Sequence, residues 1–137
     1  MKSPVVLDTN VASFVFGKKP EAALYRDDLA DRRIVLSFMT MAEMLFGADN
    51  ANWSKKKRAD LQAFFDKHGV LYADEDIVVT WAKMQKDLRT VGKTLDDPDS
   101  WIAATALATD LPLVAHDTAF RFVPGLELIC RAPGAMG

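Results

Sequence analysis

An α/β fold, a single domain with a mostly parallel five-stranded sheet flanked by helices, is predicted by three observations. Short apolar runs recur at Val5-Val6-Leu7, Ile34-Val35-Leu36, Val70-Leu71-Tyr72, Leu113-Val114-Ala115 and Leu126 to Ile129, the lengths expected of buried strands. One or two helical stretches separate successive runs, so the strands need crossover connections, and crossovers build parallel sheets covered on both faces. The chain has 137 residues, half of them hydrophobic, which suits one domain with one substantial core.

The first strand, Val5 to Leu7, carries Asp8 at its C-terminal tip. Thr9-Asn10 then opens a helix through Phe14-Val15-Phe16 that Gly17 closes. Pro20 stands at a first helical position and starts a second helix through Glu21 to Leu29, ahead of the strand Ile34 to Leu36. Thr40 starts the next helix, which runs through Glu43 and Phe46. Ser54 caps Lys55 to His68, and Gly69 ends that helix before the third strand. Asp74 caps a helix whose Ile77, Trp81, Met84 and Leu88 recur at helical spacing until Gly92. Lys93 to Asp97 forms a loop into Pro98 and a helix carrying Ile102-Ala103-Ala104; the fourth strand ends at His116-Asp117. The domain is expected over residues 1–130, with Arg131 to Gly137 as a loose tail.

Composition narrows the class. Residues 1–7 lack a signal-peptide h-region, and no stretch holds the roughly 18 unbroken apolar residues of a membrane span. The lone Cys130 has no disulfide partner and no neighbours for a zinc site, which fits a reducing cytoplasm. A net charge of −2 excludes a generally basic nucleic-acid binder but not an enzyme whose acids are neutralised by metal.

Four carboxylates stand out, each with an ordinary alternative. Asp8 follows three apolar residues, where an unpaired charge is costly, yet an Asp there also caps the next helix. Glu43 sits in an apolar run, yet Thr40-x-x-Glu43 also spells a capping box. Asp99 shares a helical face with Ile102, Ala103 and Ala106, while Asp97 before Pro98 is the natural N-cap and Asp96 a spare. Asp117 ends a strand, where an Asp commonly begins a turn, and His116 beside it serves as a ligand or as packing. Ligands of open parallel sheets bind beyond the carboxyl ends of the strands, where Asp8 and Asp117 lie. An all-oxygen cluster suits Mg²⁺ or Mn²⁺, ions that accept phosphate oxygens and support phosphodiester cleavage.

The motifs VVLDTNV at residues 5 to 11, TMAEMLFGA at 40 to 48, PDSWIAATAL at 98 to 107 and LVAHDTAF at 113 to 120 together resemble the PIN-domain ribonucleases, and within them the VapC-type toxins of toxin–antitoxin pairs. The resemblance spans nearly the whole chain. It implies a Mg²⁺- or Mn²⁺-dependent endoribonuclease with Asp8, Glu43, Asp99 and Asp117 as its metal-site acids, a small antitoxin partner and a homodimer. Asn10 and Thr40 accompany these acids and are expected near the substrate. The chain departs from the family at Ala115, where Thr or Ser is common two residues before the last acid. Lys86, Arg89 and Lys93 form a basic stripe and Lys55 to Arg58 a basic cluster, each either an RNA contact or a solvated face; Trp53 and Trp101 could stack on a base or pack.

Two rivals remain: a degenerate PIN-like domain that only binds RNA or a protein partner, and an aspartyl-phosphate phosphatase. The latter needs a second Asp two residues after the first, where this chain has Asn10. P-loop chemistry fails because Asp87 replaces the leading Gly before Gly92-Lys93-Thr94.

Overall fold

The structure, a computed structural model, describes residues 2–134. In chain order it runs β1 (Val5–Leu7), α1 (Thr9–Phe16), a 3₁₀ turn (Pro20–Tyr25), α2 (Arg26–Leu29), β2 (Ile34–Ser37), α3 (Phe38–Asn50), α4 (Lys55–His68), β3 (Val70–Leu71), α5 (Glu75–Thr90), α6 (Asp97–Thr109), β4 (Leu113–Val114), a second 3₁₀ turn (Thr118–Phe122) and β5 (Leu128–Ile129). The sheet is five-stranded, in the order β3-β2-β1-β4-β5. Every pairing is parallel.

Side chains alternate across a strand, so Val5 and Leu7 enter one core and Val6 the other. The first core packs α1, α3 and α4 on one face of the sheet; the second packs α5 and α6 on the opposite face. β1, in the centre, is fully buried on both. The chain leaves β1 toward β2 and β3 on one side, then returns to β4 on the other, making a switch point between β1 and β4.

Three elements differ from expectation. α3 begins at Phe38 because the Ser37 side chain accepts the Met39 N–H, so Thr40 is already inside the helix and no Thr40–Glu43 capping box forms. The segment from Pro20 winds as a 3₁₀ turn to Tyr25 before one short turn of α-helix, rather than as one helix to Leu29. α6 takes Asp96 as its N-cap residue, without a side-chain capping bond, and Asp97 as its first helical residue. Other boundaries follow local chemistry: Ser54 and Asp74 cap α4 and α5 through their side chains, and Gly69, at φ 88°, ends α4 where a side chain would be strained. In the segment expected as a tail, Arg131 pairs with Asp28, while residues 135–137 lie outside the described residues.

Candidate active site

Asp8 caps α1 and also reaches the chain just past β4. The Val11 N–H donates to its Oδ1 at 2.8 Å, the ordinary N-cap bond, and the His116 N–H donates to Oδ2 at 3.2 Å across the switch point. A carboxylate accepts at about four positions, so these two bonds leave it capacity for a further partner. It is 3% exposed. Burial raises its pKa from 3.8 to about 7, against the lowering by the two amide bonds, and the charges of Asp99 and Asp117 push it up further.

The other three acids come from separate elements. Asp99, in the first turn of α6, is raised to about 6 by burial, then by Asp117, Glu43 and Asp96. Asp117 accepts the Ala119 N–H at 2.8 Å and so caps the second 3₁₀ turn, which is the turn role expected of it. Glu43 accepts the Thr9 hydroxyl at 2.6 Å, and Thr9 Oγ1 lies 3.2 Å from Thr40 Oγ1. Thr9 has one proton and gives it to Glu43, so the Thr40 hydroxyl completes the chain from behind. Thr40 is fully buried there, away from the open surface. Asn10 is exposed on α1.

No Lys or Arg forms an ion pair with any of the four acids among the described residues. Nor, among those residues, do three or more His, Cys, Asp or Glu side chains stand close enough together to hold a metal ion as they are placed. Electrostatically coupled acids without a tight cage fit a hard cation that keeps several of its waters. They do not fit a structural metal such as zinc, which needs four close ligands.

A groove of about 800 Å³ opens beside Glu43, the one of the four acids that lines it, with Thr9, Asp60, Lys18, Lys19, Lys56 and Lys57 also along it. Phe16 and Trp53 stack within it at 5.7 Å, and Lys57 Nζ lies 3.9 Å from the Trp53 ring centroid. Arg58 instead turns to Asp49 and to the Ala48 and Trp53 carbonyls. Lys86, Arg89 and Lys93 line a separate hollow with Gln85, Gly92 and Thr94, and none of the four acids borders it. Trp101 packs on Trp81 at 5.0 Å, and the His116 ring sits edge-on to Phe14 and Tyr25, so both residues serve packing. Sequence reasoning missed Thr9, Lys18 and Lys19; the paired lysines directly after Gly17 were the available signal.

The family model described as PIN domain matches residues 5–126. The chain belongs to the PIN-domain family. Among curated relatives, it is 30% identical over 115 residues to a ribonuclease VapC1 of Haemophilus influenzae, covering 82% of this chain and 85% of the relative. It is 26% identical over 123 residues to a tRNA(fMet)-specific endonuclease VapC of Shigella flexneri, covering 89% and 93%. The solved DNA-bound VapBC of Salmonella typhimurium superposes with a TM-score of 0.82 at 25% identity, over 94% of this chain and 98% of the matched chain.

Proposed function

We propose that this PIN domain is an endoribonuclease toxin of a toxin–antitoxin pair, and that Asp8, Glu43, Asp99 and Asp117 hold the Mg²⁺ or Mn²⁺ on which its cleavage of RNA depends. One observation carries the assignment: Asp8 and Asp99 have raised pKa values, Asp8 feels the charges of Asp99 and Asp117, Asp99 feels those of Asp117 and Glu43, and among the described residues no Lys or Arg pairs with any of the four. Retaining unpaired buried charge is costly unless a partner arrives.

When bound, the ion would offset the charge that builds on the scissile phosphate and make a water easier to deprotonate. The chain's own residues supply the geometry. The Val11 and His116 amides hold Asp8, the Ala119 amide holds Asp117, and the Thr40–Thr9 hydroxyls hold Glu43. Lys18, Lys19, Lys56 and Lys57 offset backbone phosphates along the groove, and Asn10, exposed at the start of α1, meets the substrate. Lys86, Arg89 and Lys93 provide a second basic hollow for flanking RNA.

The antitoxin is proposed to insert an Arg or Lys into the acid cluster and so compete with metal. Exposed Leu45 and Phe46 on α3 and Val78 and Val79 on α5 suit a homodimer contact. No described helix is long and apolar enough to cross a membrane, and a cytoplasmic site of action is proposed.

The test is calorimetry with Mn²⁺ and Mg²⁺ beside an RNA-cleavage assay, on wild type and Asp8→Asn. Wild type should bind metal and cut RNA, and the variant should do neither. Wild type without metal binding would instead mark a degenerate module that only binds its partners.

A further inference from the structure

Tyr25 is a fully buried phenol that none of the chemistry above uses. Its hydroxyl meets three groups: the Arg131 N–H donates to it at 3.0 Å, His116 Nδ1 lies at 2.5 Å, and the Ala115 carbonyl at 3.2 Å. With His116 protonated at Nδ1, the hydroxyl accepts from the imidazole and from Arg131 and donates to Ala115 O. That uses its one donor and both acceptor positions.

The Ala115 carbonyl and the His116 N–H are the two polar ends of one peptide plane. The same N–H donates to Asp8 Oδ2 at 3.2 Å. A peptide is planar and stiff, so holding its carbonyl also sets the direction of its N–H. β4 ends at Val114, and Ala115 carries no side-chain group that could orient the plane. The phenol arrives from a 3₁₀ turn 90 residues earlier in the chain.

We propose that Tyr25 is a positioning residue whose hydroxyl holds the Ala115–His116 peptide, keeping the His116 N–H on Asp8 and Asp117, the next residue, beside it. The proposal rests on Asp8 and Asp117 being metal-site acids and on His116 carrying its proton at Nδ1, the tautomer that leaves the phenol's single proton for Ala115 O. Removing the hydroxyl alone frees the plane while the ring still fills its place in the core.

The experiment compares wild type, Tyr25→Phe and Asp28→Asn by residue-resolved amide exchange and by Mn²⁺ calorimetry. Asp28→Asn weakens the ion pair of the Arg131 guanidinium and leaves the phenol's partners in place, since Arg131 reaches the phenol through its backbone N–H. In Tyr25→Phe, the His116 amide should exchange roughly five- to tenfold faster while β1 and β2 amides keep their protection. Mn²⁺ should bind about tenfold more weakly. Asp28→Asn should change neither. Unchanged His116 protection in Tyr25→Phe, protection lost equally across the sheet, or an equal loss of Mn²⁺ affinity in Asp28→Asn would each overturn the proposal. If wild type binds no Mn²⁺, the acid-site assignment fails, and the His116 exchange rate alone decides whether the hydroxyl holds the peptide.

Discussion

Asp8 and Asp28 both act electrostatically on Tyr25, and they meet opposite treatment. Asp28 receives two hydrogen bonds from the Arg131 guanidinium, at 2.7 and 3.0 Å, and that pairing lowers its pKa. Asp8 receives only two amide N–H groups, is buried, faces Asp99 and Asp117, and is raised to about 7. Both are aspartates at helix termini or first turns, so the residue type does not explain the contrast. The fold supplies a cation to one and leaves the other among like charges, where its charged form is disfavoured.

The sharpest way to break the contrast is Asp8→Asn. Metal stabilises developing charge by several kcal/mol, so RNA cleavage in excess Mn²⁺ should fall by about a thousandfold. Unpartnered expression should arrest growth for wild type and be tolerated for the variant. Equal arrest by both would place the chemistry elsewhere.

Metal should next restore to the acid cluster what Arg131 gives Asp28. At about 100 times its dissociation constant, Mn²⁺ should add roughly 2.7 kcal/mol to wild-type stability, read from melting curves against EDTA. Asp99→Asn should melt higher than wild type in EDTA near pH 7, because it removes a repelling charge, and should lose the metal-dependent rise. A lower melting temperature for that variant in EDTA would make Asp99 a structural cap.

The two aspartates should also pull stability in opposite directions with pH. A raised folded pKa means that the folded state keeps its proton longer. In EDTA the Asp8 contribution is therefore full below the unfolded value of about 4 and is lost as pH rises toward 7. The slope approaches about 1.4 kcal/mol per pH unit, or roughly 2 kcal/mol between pH 5 and 7. Asp28 has a lowered folded pKa, so its contribution is present above about pH 4 and lost as pH falls through its folded value. Denaturant titrations across pH should show Asp8→Asn flattening the neutral side and Asp28→Asn the acid side.

The smallest effect belongs to Arg131→Ala. Its side chain is half exposed, so the ion pair should be worth at most about 1 kcal/mol. The metal-dependent rise should survive intact, and its loss would mean that the two regions are not independent.

Much of this was legible in sequence because it is local. An Asp after three apolar residues, a Ser or Asp before helical spacing, and a Gly at a helix end act within a few residues, as Asp8, Ser54, Asp74 and Gly69 do. Thr40 misled because two hydroxyl residues, Ser37 and Thr40, could each cap α3; packing brought Thr40 inside and left the cap to Ser37. The four acids were nameable from motif and strand position, but their ordinary capping roles could not be weighed against the proposed metal role. In the structure Asp8 and Asp117 carry capping bonds within the same cluster.

By itself, then, the sequence determined the alternation of short strands and helices, the helix caps and the identity of the acids, since these depend on periodicity and on neighbours in the chain. Tertiary structure alone decided the strand order that sets β1 beside β4, the Thr9–Glu43 bond across 34 residues, the His116–Asp8 bond across 108 and the Tyr25 contact behind it. It also brought Lys18 and Lys19 beside Lys56 and Lys57. No local pattern encodes such pairs, because each depends on which faces of distant elements the sheet brings together when its two cores are buried.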